Sequence, residues 1–170
     1  YLWYAIRLQQ LPLALFGIAI SSALLPPLTR SVKNHDWKQF AHFLDFSLCK
    51  TVAFMLPLTI GIFLVGNETV KLIYEHGDFS LESVEGTTLC LWAYGIGLVP
   101  MALVLIAAPA FYAQENFRLP MRASVFSMAM NICLNTLLVM GLGLGAASVA
   151  LATSISAAVN LAILLYGLQK

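Results

Sequence analysis

The chain has 170 residues, 60% of them hydrophobic and 10% charged, and its mean hydropathy is +0.85. A soluble domain is about 45–50% apolar and about 25% charged, so the composition excludes a soluble core and points to an integral membrane protein. A net charge of +1 excludes the strongly basic surface of a nucleic-acid binder.

A helix that crosses a bilayer needs about 20 mostly apolar residues. Five segments qualify, at about residues 2–28, 43–65, 87–112, 123–142 and 146–168. The chain opens inside one apolar segment and stops just after another, which reads as a piece of a longer polytopic protein. The predicted fold class is all-α, a polytopic membrane bundle of five transmembrane helices. Pro12 and Gly17 interrupt the first segment, and Pro26-Pro27 are expected to end it. Pro12 removes a backbone donor and crowds the preceding turn, so a kink is expected there. Pro57 lies inside the second segment, and Pro100 and Pro109 inside the third. Pro12, Pro57 and Pro100 are the candidate hinge positions.

The connections differ in charge. The first, residues 30–42, holds Arg30, Lys33 and Lys38, and Asp36 is placed to cap an amphipathic turn carrying Trp37, Phe40 and Phe43. The second is an acidic loop, residues 67–86, with Glu68, Glu75, Asp78, Glu82 and Glu85 against Lys71. Within it Asn67 is predicted to cap a short surface helix from Glu68 to His76, stopped by Gly77. Val70, Ile73 and Tyr74 would face the membrane, and Ser80 would cap the following helix. The third connection, residues 113–122, holds Arg118 and Arg122 against Glu115, and the fourth, residues 143–145, is uncharged.

Counting cations sets the orientation. Arg30, Lys33, Lys38, Lys50, Arg118, Arg122 and Lys170 fall at one face, Lys71 at the other, and Arg7 within the first segment. By the positive-inside rule the cation-rich face is cytoplasmic. The first segment then enters from outside, and Arg7 lies toward the external half of the membrane.

Arg7 is the sharpest candidate residue. Its guanidinium stays charged in any environment and can hold a phosphate or carboxylate in a bidentate fork. An interfacial arginine that snorkels to the surface accounts for the same residue. Gln9 and Gln10 add donors beside it. Gln10 is a candidate for lining a polar cavity, and helix–helix hydrogen bonding is expected of at least one of the two. Asn131 and Asn135 lie one turn apart on one helix face, placed to line a cavity or to bond across helices.

Asp45 stands at the cytoplasmic edge of the second segment and no other Asp or Glu falls in an apolar segment, so the chain offers no obvious proton or sodium relay. His35, His42 and His76 are too scattered to hold a metal, and Ser154 and Ser156 read as close helix packing. Cys49, Cys90 and Cys133 read as small buried hydrophobes, and the glycines around Gly143 and Gly145 as a tight turn. No phosphate loop, dinucleotide fingerprint or paired-carboxylate site is present, so no cofactor and no enzymatic site are expected.

Four stretches together resemble one family. They are Arg7-Leu8 with Leu11-Pro12, Gly17, Leu25-Pro26 and Leu28-Thr29-Arg30; Leu72 to Ser80; Phe111-Tyr112-Ala113 with Asn116, Arg118 and Pro120; and Asn131 with Asn135. In order and spacing they are similar to the MurJ/MviN lipid II flippases of the multidrug/oligosaccharidyl-lipid/polysaccharide exporter superfamily. The resemblance implies a two-lobe transporter of about fourteen helices, with residues 1–170 as part of the C-terminal lobe and an N-terminal lobe missing. It implies translocation of lipid II, an undecaprenyl-pyrophosphate-linked sugar-peptide, across the bacterial inner membrane by alternating access. Its partners would be lipid II, membrane lipids and the missing lobe. Arg7 corresponds to a cavity arginine that meets the diphosphate. Two positions depart from the family pattern: Ile6 stands where an acidic residue is common, and Asn116 where Asp is usual. The alternatives are a drug or cation antiporter of the same superfamily and a non-transporting scaffold for cell-wall assembly.

Overall fold

The computed structural model describes residues 1–75, 79–141 and 145–168. Its elements, in order, are α1 (Leu2–Pro12), a π-helical segment (Leu13–Ile18), α2 (Ala19–Lys33), α3 (Trp37–Tyr74), α4 (Leu81–Ala113), α5 (Arg118–Asn135), a second π-helical segment (Thr136–Gly141) and α6 (Ala146–Leu168). The first three run on as one helix, Leu2–Lys33, and among the described residues five helices are long and apolar enough to cross a membrane. Hydrocarbon offers no water to backbone N–H and C=O groups, so a spanning chain pairs them internally as helix.

Several helices exceed their apolar cores, and this corrects the predicted boundaries. Pro26-Pro27 do not end the first helix, which continues to Lys33. The 67–86 segment is not a loop: α3 runs unbroken through Asn67 to Tyr74, and only residues 75–80 connect it to α4. At about 1.5 Å per residue, the 38 residues of α3 span about 57 Å, well beyond a hydrocarbon core of about 30 Å. Outside that core a helix needs no apolar signature, only good helix formers and pairs such as Lys71–Glu68 (3.4 Å, three residues apart). Asn67 is therefore not a cap; its Oδ1 accepts a hydrogen bond from Thr88 on α4. Val70 is buried and Tyr74 packs on Tyr4 and Phe79, so this turn belongs to the bundle rather than the membrane surface. The expected stop at His76 and Gly77, and Asp78 beside it, lie outside the described residues. The fourth helix begins at Arg118, not near Ala123, with Pro120 in its first turn, where a missing N–H costs nothing.

Two caps form where expected. Asp36 accepts from the Gln39 N–H at 3.0 Å and opens α3 itself rather than a separate turn. Ser80 accepts from the Ser83 N–H at 3.3 Å and opens α4. Gly145 has φ +69°, a left-handed conformation that suits glycine; Gly143 and Lys170 lie outside the described residues. Of the cysteines only Cys90 is buried; Cys49 and Cys133 are exposed on outer helix faces, contrary to expectation. Lys50, well inside α3, leans back over the Phe46 ring (5.4 Å), toward the cation-rich end.

The bundle is organised around α4, whose buried residues run its whole length, from Val84 to Ala113. Among the described residues four clusters include its side chains. Ala5, Val70, Leu91 and Tyr94 pack at the end nearest Tyr1, Met55, Leu98 and Ala102 in the middle, and Leu24, Leu28, Phe40 and Ile106 toward the cation-rich end, with Phe111, Ala123 and Leu164 in the fourth. Helices in lipid gain no hydrophobic drive from meeting each other, so they associate by close contact and hydrogen bonds. Ser154 of α6 does both: its Oγ donates to the Ala93 carbonyl at 2.7 Å, and its backbone sits against Gly97.

A Cβ at Gly97 would lie 2.7 Å from the Ser154 Cα, whereas one at Gly61 would meet nothing within 4 Å. Gly97→Ala is expected to destabilise the bundle by about 1–3 kcal/mol. Gly61→Ala should be neutral or stabilising by up to about 1 kcal/mol. Unfolding in detergent, followed by circular dichroism, separates the two.

Candidate functional site

The turns of α1 divide into two faces. Ala5 and Gln9 are buried against the bundle, while Trp3, Arg7 and Gln10, and Ala14 in the π segment that follows, are exposed. The spacing of these four, at four, three and four residues, aligns them along one stripe. Arg7 reaches back over the residue one turn before it, with Cζ 5.0 Å from the centre of the Trp3 ring. Arg7 makes no ion pair among the described residues, where the one salt bridge is Lys71–Glu68.

The rest of this end of α1 is fixed by aromatic packing. Tyr4 meets Trp3 edge-on at 5.2 Å, Tyr74 at 4.8 Å and Phe79 at 5.2 Å. A Cβ on Gly86 would lie 2.7 Å from the Tyr1 ring, so α4 lets that ring approach closely. These rings cluster at the Tyr1 end of the first helix, and Arg7 stands one turn further along it than Trp3.

The two glutamines part. Gln9 is 4% exposed and donates from Nε2 to the Met101 sulfur at 2.9 Å. Gln10 shares the open face with Arg7.

Asn131 and Asn135 lie elsewhere. Asn135 Nδ2 donates to Asn131 Oδ1 at 2.8 Å, and Asn131 Nδ2 donates to Thr153 Oγ1 on α6 at 3.4 Å. Asn131 lines a groove of about 340 Å³ between α4, α5 and α6, with Met101, Ser127, Thr153, Ser156 and Asn160. Ser127 Oγ, Asn135 Oδ1 and Asn160 Oδ1 are buried without a hydrogen-bond partner among the described residues. Arg7 is not among the lining residues of this groove. The structure thus separates the asparagine pair from the arginine stripe; Met101, which lines this groove, accepts from Gln9 on the buried face of α1.

The prolines also part. Pro12 and Pro57 line one apolar groove of about 400 Å³ between the first helix and α3. The backbone passes into the π segment directly after Pro12, whereas Pro57 and Pro100 lie inside unbroken α-helix. Among the described residues no three His, Cys, Asp or Glu side chains are grouped to hold a metal ion.

Sequence reading missed Trp3, Ser127, Thr153 and Asn160. Trp3 carried a usable signal, an aromatic ring four residues before a cation. The other three are polar residues in apolar segments, and nothing in the sequence tells which helix each one faces.

The family model of the lipid II flippase MurJ matches residues 1–170. The chain belongs to the MurJ family. A probable lipid II flippase MurJ of Chlamydia muridarum is 38% identical over 137 residues, 81% of this chain and 26% of the relative. Another from Vibrio cholerae is 32% identical over 169 residues, 99% of this chain and 32% of the relative. A solved structure of lipid II flippase MurJ in an inward closed conformation superposes with TM-score 0.89 at 29% identity, over 100% of this chain and 35% of that one. The chain therefore spans about a quarter to a third of the length of these relatives. It is a multi-pass membrane protein of a family of transporters.

Within this MurJ-family chain the asparagine pair joins α5 to α6. Asn131→Leu removes the bond to Thr153 and strands Asn135, and is expected to cost about 0.6–1.7 kcal/mol. Ser127→Ala removes a hydroxyl with no partner and should be neutral or stabilising. Thermal unfolding of the two variants in detergent checks the contrast.

Proposed function

We propose that the chain forms most of the C-terminal lobe of a flippase, roughly its eighth to twelfth helices. In this reading the whole protein moves lipid II from the inner to the outer leaflet of the bacterial cytoplasmic membrane. The observation that carries the reading is Arg7, a permanent cation on the open face of a membrane helix with no carboxylate beside it among the described residues. A cation at the centre of a membrane helix costs roughly 2.5–3.5 kcal/mol on insertion scales, and an anion from outside the chain offsets that cost.

The mechanism is alternating access without covalent chemistry. A diphosphate stripped of water in hydrocarbon is prohibitive, by tens of kcal/mol on Born estimates. The protein supplies a hydrated route between two lobes in which Arg7 meets the phosphoryl oxygens and Gln10, on the same stripe, adds donors. The polyprenyl tail stays in lipid. Rocking of the lobes about Pro12, Pro57 and Pro100 then exposes the headgroup on the far side. Asn131 and Asn135, set apart from Arg7, act within the lobe by holding α5 to α6. Lipid II, membrane lipids and the N-terminal lobe are the partners, and no cofactor is required.

In the full-length protein Arg7→Ala is expected to lower lipid II flipping at least ten- to a hundredfold, since a charged hydrogen-bond pair is worth about 1.5–3 kcal/mol. Arg7→Lys, which keeps charge but loses the planar fork, should be partly competent. Flipping of lipid II in reconstituted vesicles, with insertion verified separately, is the measurement. Normal flipping by the alanine variant sinks the assignment. Drug efflux driven by a proton gradient, in place of lipid II movement, would instead identify an antiporter.

A further inference from the structure

We propose that Trp3 is a positioning residue for Arg7. Its indole holds the guanidinium by the flat face and leaves the N–H edge open to a phosphoryl oxygen. The inference rests on the reading of Arg7 as the residue that meets the diphosphate.

The geometry fits that division of labour. Arg7 Cζ lies 5.0 Å from the Trp3 ring centre, one helical turn away on the same exposed stripe. A guanidinium has five N–H donors, all in its plane. A carboxylate partner would occupy two of them and neutralise the charge. An aromatic face attracts the cation through its quadrupole and, unlike a carboxylate, does not neutralise it. The residue before Arg7 is Ile6, so no acid stands beside it in the sequence, and no described carboxylate lies within ion-pair distance. Trp3 therefore steadies the side chain while its charge and its fork remain available.

Trp3 is itself held. Tyr4 packs against it edge-on (5.2 Å, 89°), and Tyr4 is in turn wedged between Tyr74 at the end of α3 and Phe79 before α4. The orientation of Arg7 is thus referred, through two rings, to the external connection between α3 and α4. The 61% exposure of Trp3 leaves room for a ligand to reach the guanidinium edge.

A positioning role changes how tightly the anion is held, more than whether the protein inserts. The test uses the full-length protein in lipid vesicles, with Trp3→Leu, Trp3→Phe and Arg7→Ala. Trp3→Leu is expected to raise the lipid II concentration for half-maximal flipping by about 2- to 30-fold, the range of a cation–π contact, with maximal rate largely retained. Trp3→Phe, which keeps a smaller ring, should fall between. A second readout covers the case in which the leucine variant does not fold. In a protein whose other tryptophans, Trp37 and Trp92 included, are phenylalanine, pyrophosphate should shift the Trp3 emission, and Arg7→Ala should abolish the shift. If Trp3→Leu keeps the wild-type concentration dependence, or if the emission shift survives Arg7→Ala, the positioning role is overturned while the reading of Arg7 stands. If Arg7→Ala flips lipid II normally, that reading fails and this inference fails with it.

Discussion

Close approach to α4 is the constraint on which the bundle depends. Lipid chains are as apolar as leucine, so helices in a bilayer hold together only where their backbones come near enough for dispersion contacts and interhelical hydrogen bonds. Along α4 the buried positions include Ala93, Gly95, Gly97, Ala102, Ala107 and Ala110, which leave no bulk between it and its neighbours. Into that smooth surface α6 sets Ser154, bonded to the Ala93 carbonyl. From the opposite side Gly17 lets the first helix approach until a Cβ there would lie 2.9 Å from Leu105. The large exposed side chains, such as Ile60 and Leu64, point outward, as a lipid-facing surface requires.

Given that core, the polar residues sort by which side of α4 they reach. Asn131, Thr153 and Ser154 turn toward other helices and are used as joints. Arg7 turns the other way. Its charge cannot be removed by deprotonation, and among the described residues it lies over an aromatic ring and pairs with no carboxylate. Under the proposed function this permanent cation is an incomplete site, which a mobile anion would complete without fixing it shut.

The number of spans, their alternation and the Asp36 and Ser80 caps were legible in the sequence, because each rests on composition or on contacts within four residues. Helix ends were not. Asn67 to Tyr74 and Arg118 to Arg122 continue their helices into water, where apolar content stops marking them and local pairing takes over. Pro26-Pro27 misled for a related reason: a helix already held by Leu24 and Leu28 in a buried cluster runs on through two prolines. Of the candidate site, the arginine was legible as a costly residue and its partner was not. The sequence places Trp3 four residues away, but only the fold shows that this face stays open while Gln9 turns inward to Met101.

The π segment after Pro12 explains how one helix does both jobs. The inward residues of α1 are Ala5 and Gln9, and those of α2 are Leu24, Leu28 and Ser31. On an uninterrupted α-helix, at about 100° per residue, these two sets would lie roughly 90° apart around the axis. They could not both face α4. A π turn accommodates one extra residue, which brings the second set back into line with the first. The correction also fixes Arg7. Measured from the realigned inward face, Arg7 lies about half a turn away, pointing straight out of the bundle, whereas a regular helix packed by α2 would have set it sideways against its neighbours. Leu13–Ile18 is therefore an aiming device: it lets α2 pack as the core demands while α1 presents its cation outward.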